Sequence, residues 1–309
     1  MKAAVLECLN KDLVIRELNI PELEYGQVLV QVKASGICGK QIGEIAGNYG
    51  EDKFLPHLLG HEGGGIVDSI GEGVTTVKGG DHVVMHWRKG TGIESTFPKY
   101  NTSVNIFDGT TEEKRVGAGL ITTFNEYAVV SENRVTKIEE DVPFEVAALM
   151  GCAITTGFGV VFNEIQLKPY NSITVIGCGG IGLNIIQAAK LVGAYPIVAI
   201  EKLKWKLDMA ANFGATHLFT SLREEGNVET DFLVESHNGV FIADSHGRRE
   251  SKGGETTPER DIPMYLERLW RSNRVKVSQL ITHTFSLEEI NVALDVVRSG
   301  SAGRCIIIM

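Results

Sequence analysis

The stretch Ile173-Thr174-Val175-Ile176-Gly177-Cys178-Gly179-Gly180-Ile181-Gly182 is an apolar strand that runs into a glycine turn, and a helical segment follows it through about Val192. Strand, G-x-G-x-x-G and helix together form the phosphate-binding turn of a βαβ dinucleotide unit. Gly177 permits the tight turn, Gly179 lets the backbone approach a pyrophosphate, and Gly182 allows close packing of helix on strand; Gly180 and Ile181 complete the expected cofactor contact. A second strand, 196 to 200, ends at Glu201. A carboxylate there can accept both ribose hydroxyls and repels a 2′-phosphate, which favours NAD over NADP. The plainer alternative is a solvated strand-end acid beside the basic surface of Lys202, Lys204 and Lys206.

Beyond this unit the pattern predicts a helix from about 204 to 213 and a third strand over 217 to 220, the rhythm of a parallel α/β sheet. The signal then weakens. Residues 221 to 254 leave room for a strand near 240 to 243 and little else, whereas one βαβ unit takes roughly 30 residues or more. The run Ser245-His246-Gly247-Arg248-Arg249-Glu250 looks unlike a core element. Either the second half of this domain is shortened, or a stretch between about 227 and 254 is missing. Helix, strand, helix and a last strand are expected at 261–271, 275–284, 286–299 and 305–309. Before the turn, residues 1 to about 150 are mostly β, with runs such as Val28-Leu29-Val30-Gln31-Val32 and His82-Val83-Val84-Met85 between glycine-rich turns. The class is therefore α/β: a barrel-like domain plus a parallel-sheet domain.

Composition narrows the function classes. With 309 residues, 43% hydrophobic and 22% charged, the chain can bury full cores. A net charge of -9 without a basic patch argues against nucleic acid. No apolar run reaches the roughly 18 to 20 residues that cross a bilayer, so no membrane partner is expected. Five cysteines, at 8, 38, 152, 178 and 305, form no disulfide framework, and a reducing cytoplasm is the expected location.

Cys38, the pair His61-Glu62, and Cys152 each sit in a glycine-bearing segment. Two soft thiolates and an imidazole suit zinc; a buried thiol packed as a small hydrophobe is the bland reading of either cysteine. The surrounding motifs are Gly36-Ile37-Cys38-Gly39, Leu59-Gly60-His61-Glu62-Gly63-Gly64-Gly65-Ile66-Val67, Gly71-Glu72-Gly73-Val74, Gly80-Asp81-His82-Val83-Val84 and Gly151-Cys152-Ala153-Ile154-Thr155-Thr156-Gly157. With the glycine turn, they resemble, in order and over nearly the whole chain, the zinc-containing medium-chain dehydrogenase/reductase family. The resemblance implies a GroES-like catalytic domain, 1–151 and 255–309, with a shortened Rossmann domain, 152–254, inserted. It implies catalytic zinc on Cys38, His61 and Cys152, the ligand set for which alcohol dehydrogenase is itself the standard example. Glu62 matches a carboxylate that exchanges with the metal's water ligand, Thr156 a nicotinamide neighbour, and Arg304 a pyrophosphate contact.

Three departures refine this. No cysteine lies between Cys38 and Cys152, so the four-cysteine lobe for a structural zinc is absent and one zinc per chain is expected. Lys40 and Gly43 replace the hydroxyl and histidine of the usual proton relay, and Gln41 replaces the acid that often follows the hydroxyl; Lys40 would then take the alcohol proton as a general base, or is a surface lysine that snorkels away from the site. The cluster His86-Trp87-Arg88-Lys89 would grip a hydroxyl-rich or anionic substrate, or is a solvated loop packed by its Trp. The third departure is the short second half, which in many relatives walls the nicotinamide and builds a homo-oligomer interface. The expected activity is hydride transfer between a secondary alcohol of a sugar or polyol and NAD. A cofactor-binding but catalytically impaired protein and a zinc-free reductase of the same superfamily are the alternatives.

Overall fold

The computed structural model describes residues 1–102, 114–225, 228–236 and 239–309, which fall into two compact units. The first comprises Met1–Cys152, Thr257–Pro263 and Ile281–Met309. Its main sheet runs in the order Val135–Lys137, His82–His86, Glu62–Ile70, Gln27–Gly36, Arg304–Ile308 and Ile281–Ser286, with Tyr127–Ser131 also paired to Gln27–Gly36. A three-stranded sheet of Val14–Glu17, Lys2–Leu6 and His57–Leu58 accompanies it. Alternation along the central strand explains the layering. Val28, Val30 and Val32 join Val67, Val83 and Met85 in one core, while Leu29 joins Val5, Leu58 and Tyr100 in another. The expected GroES-like β domain is present.

Glycines in this sheet mark close approaches. A Cβ on Gly64 would stand 2.6 Å from the carbonyl of Phe144, and one on Gly65 2.3 Å from that of Gln31. The glycine run after Glu62 thus lets the helix Phe144–Met150 and the strand Gln27–Gly36 close on the strand Glu62–Ile70.

The second unit comprises Ala153–Thr256 and Met264–Leu280. Its sheet has the order His217–Phe219, Ile197–Ile200, Ile173–Ile176, Phe232–Glu235, Phe241–Asp244 and Gly247–Glu250. The first four strands are parallel and the last two antiparallel. Helices Gly180–Val192 and Lys204–Phe213 supply the crossovers of the parallel half.

The structure corrects two expectations and accounts for the run that looked unlike a core element. Residues 232 to 250 hold three strands, where one was expected near 240 to 243. Parallel strands need a long crossover, but antiparallel neighbours need only a tight turn, so a short chain accommodates them. The run from Ser245 to Glu250 is a turn and an edge strand, Gly247–Glu250, exposed at every residue. The segment Met264–Leu280 belongs with the second unit, whereas 255–309 was expected to return whole to the first. The ring of Tyr265, fully buried, stands edge-on to Phe158 at 5.2 Å. Among the described residues no single helix is long and apolar enough to cross a membrane.

Candidate metal centre and cofactor turn

Three neighbouring strands of the first unit bring the candidate ligands to one end of the sheet. Gln27–Gly36 delivers Cys38 just past its last residue, and Glu62–Ile70 begins directly after His61. Their register pairs Ser35 with Gly63, and on the other side Gly36 with Ile306, which sets Arg304 alongside. Gly151 brings the third ligand in. A Cβ there would lie 2.4 Å from the Met85 carbonyl and 2.8 Å from Cα of Glu62, so only glycine allows the chain to seat Cys152 against this sheet end.

The ligand atoms of Cys38, His61 and Cys152 lie within 4.8 Å of one another. Cys152 is buried, while Cys38 and His61 keep partial exposure, so the group is not sealed. Among the described residues, Nε2 of His61 and Oε2 of Glu62 are buried without a hydrogen-bond partner. An orphaned buried polar atom costs about 1–3 kcal/mol, and a cation among the three ligands would give Nε2 a partner. Two thiols and an imidazole are a soft donor set that suits zinc, so the residues fit the ion.

The electrostatics point the same way. A hydrogen bond from the Cys152 thiol drives the Cys38 pKa well down against the effect of burial, with His61 and Arg304 adding to it. The same bond, together with burial, holds Cys152 well up as the proton donor of the pair. Burial disfavours a charged His61, but the neighbouring Cys38 sulfur raises its pKa overall. Glu62, fully buried, has its carboxyl pushed up by burial, and the Arg304 guanidinium opposes that. Nη2 of Arg304 donates to Oε1 of Glu62 in a buried ion pair. Arg304 was expected at a pyrophosphate; the structure places its guanidinium with the metal-site carboxylate.

Lys40 is exposed, and its ammonium sits 3.2 Å above the centre of the Tyr49 ring. That ring lies over Gly43, whose Cβ would stand 2.8 Å from the Tyr49 hydroxyl. His86 is buried, 1% exposed. Its Nδ1 donates to the Arg88 carbonyl at 2.7 Å and its Nε2 bonds the Thr136 hydroxyl at 2.9 Å. Both ring nitrogens are spent inside the protein, which corrects the expectation that His86 grips a substrate. Trp87 is half-buried with the Arg88 guanidinium 6.0 Å from its ring, and its carbonyl accepts from Arg134.

Two residues of the helix Gly39–Ile45 gain weight from the geometry. Gln41 touches both Cys38 and His61. Glu44, which sequence reasoning passed over, is half-buried, its carboxyl pushed up by burial and within electrostatic reach of His61, Lys40, His57 and Cys38. Its spacing, one helical turn after Lys40 and three residues after Gln41, was the available signal.

In the second unit the glycine turn has the expected form. Gly177 adopts φ +90°, and a Cβ on Gly182 would meet the Gly177 carbonyl at 1.9 Å. A Cβ on Gly179 would meet none of the described residues within 4 Å, which leaves room there for a phosphate. The helix Gly180–Val192 begins here, and the first-turn N–H groups of Gly180, Ile181 and Gly182 have no intrahelical acceptor. Glu201 closes the turn from the neighbouring strand end: Oε2 accepts the Cys178 N–H at 3.0 Å and Oε1 the Leu203 N–H at 3.2 Å. Burial, then the charge of Glu201, pushes the Cys178 thiol up to about 12, so it stays protonated. Thr156 is buried in the helix Ala153–Gly159, with Gly254 packed on its carbonyl.

The chain is similar to known alcohol dehydrogenases. Residues 24–140 match the alcohol dehydrogenase GroES-like domain and residues 180–240 the zinc-binding dehydrogenase domain. The chain is 31% identical over 369 aligned positions to an S-(hydroxymethyl)glutathione dehydrogenase of Escherichia coli O139:H28, covering 99% of each. It is 28% identical over 376 positions to a class-3 alcohol dehydrogenase of Cereibacter sphaeroides, again covering 99% of each. Its 309 residues fill such alignments only with gaps, so the chain is shorter than these relatives. Among solved structures, benzyl alcohol dehydrogenase from Acinetobacter calcoaceticus superposes with a TM-score of 0.82 at 25% identity, covering 100% of this chain and 99% of that one.

Proposed function

The chain belongs to the zinc-containing medium-chain alcohol dehydrogenase family, and on that premise we propose that it oxidises a secondary alcohol of a sugar or polyol with NAD as hydride acceptor. The observation that carries the reading is the convergence of Cys38, His61 and Cys152 within 4.8 Å, with the Nε2 atom of His61 unpartnered. These three residues would hold zinc. When bound, zinc is a Lewis acid that makes an alcohol proton easier to lose, and NAD takes up the hydride.

The protein's own residues do the rest. Arg304 neutralises Glu62 behind the ligands, so the buried carboxylate adds little net charge to the site. Gly177, Gly179 and Gly182, with the N–H groups of Gly180 and Ile181, would cradle the pyrophosphate. Glu201 would turn its oxygens from the Cys178 and Leu203 N–H groups to the ribose hydroxyls, and its charge would repel a 2′-phosphate. Thr156 would stand beside the nicotinamide. Lys40 would receive the alcohol proton by leaving the Tyr49 ring. The sugar or polyol class is supported by Lys40 and Gly43 in place of the ethanol-type relay. Half-buried Trp87 would line the substrate path.

The test is NAD reduction by purified, zinc-loaded protein over a panel of polyols, aldoses, benzyl alcohol and S-(hydroxymethyl)glutathione. The expected result is the highest kcat/KM with a polyol or sugar. A tenfold preference for either of the last two would overturn the substrate class. Tight NADH binding with no turnover on any of them would favour the catalytically impaired alternative.

A further inference from the structure

Gln41 is the third residue of the helix whose N-cap is the ligand Cys38, and its side chain is buried, 1% exposed. Its two amide ends face two different ligands. Oε1 accepts the backbone N–H of Cys38 at 3.0 Å, and Nε2 lies 2.5 Å from Nδ1 of His61. An amide that donates to Nδ1 leaves the ring proton on Nε2, which is the ring nitrogen without a partner and the one free to face an ion. A protonated nitrogen cannot ligate a metal. For Nε2 to bind, the proton must sit on Nδ1, and an N–H there needs an acceptor. Gln41 is the residue in contact with Nδ1, and its amide oxygen is the acceptor it can offer.

We propose that Gln41 is a positioning residue that sets the tautomer of His61: its amide turns over when the metal site fills, exchanging the Cys38 backbone bond for an Nδ1–H···Oε1 bond to His61. The proposal rests on the reading of Cys38, His61 and Cys152 as a metal centre. It adds that metal binding is weakened by the bond given up at Cys38. A carboxylate at position 41 would have an oxygen for each donor at once and would need no exchange.

The experiment uses the full chain and three forms: parent, Gln41→Met and Gln41→Glu. Zinc affinity is read by competition with a chromophoric chelator, and the His61 tautomer by ¹⁵N NMR before and after metal addition. Gln41→Met is expected to bind zinc roughly 10- to 100-fold more weakly, the range for losing a histidine's outer partner. Gln41→Glu should bind it roughly three- to tenfold more tightly, the equivalent of one recovered hydrogen bond. The parent should pass from the Nε2–H to the Nδ1–H tautomer on loading. Equal affinities in the three forms, or an Nδ1–H ring already present without metal, would overturn the proposal. If Gln41→Met fails to fold, Gln41→Glu and the parent's tautomer decide it. A parent that binds no zinc at all would instead sink the metal-centre reading itself.

Discussion

Replacing His86 with glutamine removes one titratable group from the first unit while keeping an amide donor for the Arg88 carbonyl and an acceptor for the Thr136 hydroxyl. Burial, with a smaller contribution from the Arg134 charge, lowers the His86 pKa from 6.5 to about 4. In the unfolded chain the ring takes its proton near 6.5, whereas the folded protein refuses it until about 4. The neutral ring therefore contributes stability that is fully present above pH 6.5 and is lost as the pH falls toward 4. The two values differ by an amount worth about 3 kcal/mol at 25 °C. Urea unfolding of parent and His86→Gln at pH 7, 6, 5 and 4.5 isolates this contribution, because the other titrating groups are common to both. Below pH 6 the parent should lose stability relative to the variant at about 1.4 kcal/mol per pH unit. A difference between the two that stays constant with pH would refute the burial argument and return His86 to the solvent-facing, ligand-gripping role.

Arg304→Met leaves Glu62 buried without its counter-charge and should cost about 3–5 kcal/mol in urea unfolding at pH 7; adding Glu62→Gln should recover most of it, and a single-variant cost under about 1 kcal/mol would contradict the pairing. Gly182→Ala drives a Cβ onto the Gly177 carbonyl, a strain of about 1–3 kcal/mol, and should weaken NADH binding roughly ten- to hundredfold in a fluorescence titration with zinc content unchanged. Elemental analysis of tag-free protein should give one zinc per chain, falling to a small fraction in Cys152→Ser; two equivalents in the parent would contradict the single site.

The glycine turn was legible because its requirements are local. Gly177 and Gly182 are fixed by a positive φ and a backbone contact five residues away, and a short motif records both. The ligands were legible through the glycines beside them, since Gly64, Gly65 and Gly151 mark where strand and helix must close together. What stayed hidden depends on distant partners. The Glu62–Arg304 pair joins residues 242 positions apart, and no spacing rule reaches that far. His86 looked like part of an aromatic and cationic surface cluster, yet it ends a strand whose register pairs it with buried Glu62. The strand Gly247–Glu250 shows no apolar alternation because neither of its faces is covered. Gln41 was within reach: Cys38-x-x-Gln41 has the spacing of a capping box, with cysteine as its first member.

The last strand of the second unit has a consequence for how copies of this chain meet. Among the described residues, Gly247–Glu250 leaves a row of backbone N–H and C=O groups unclaimed on its outer side, the usual template for joining two sheets into one. A second copy docking there about a twofold axis would set one residue of the strand against itself, Arg248 facing Arg248 or Arg249 facing Arg249. Like charges directly opposed across a ladder are unfavourable, and both arginines already serve acids of their own sheet, Glu235 and Asp244. The strand that ends the shortened sheet thus also guards it against edge-to-edge joining.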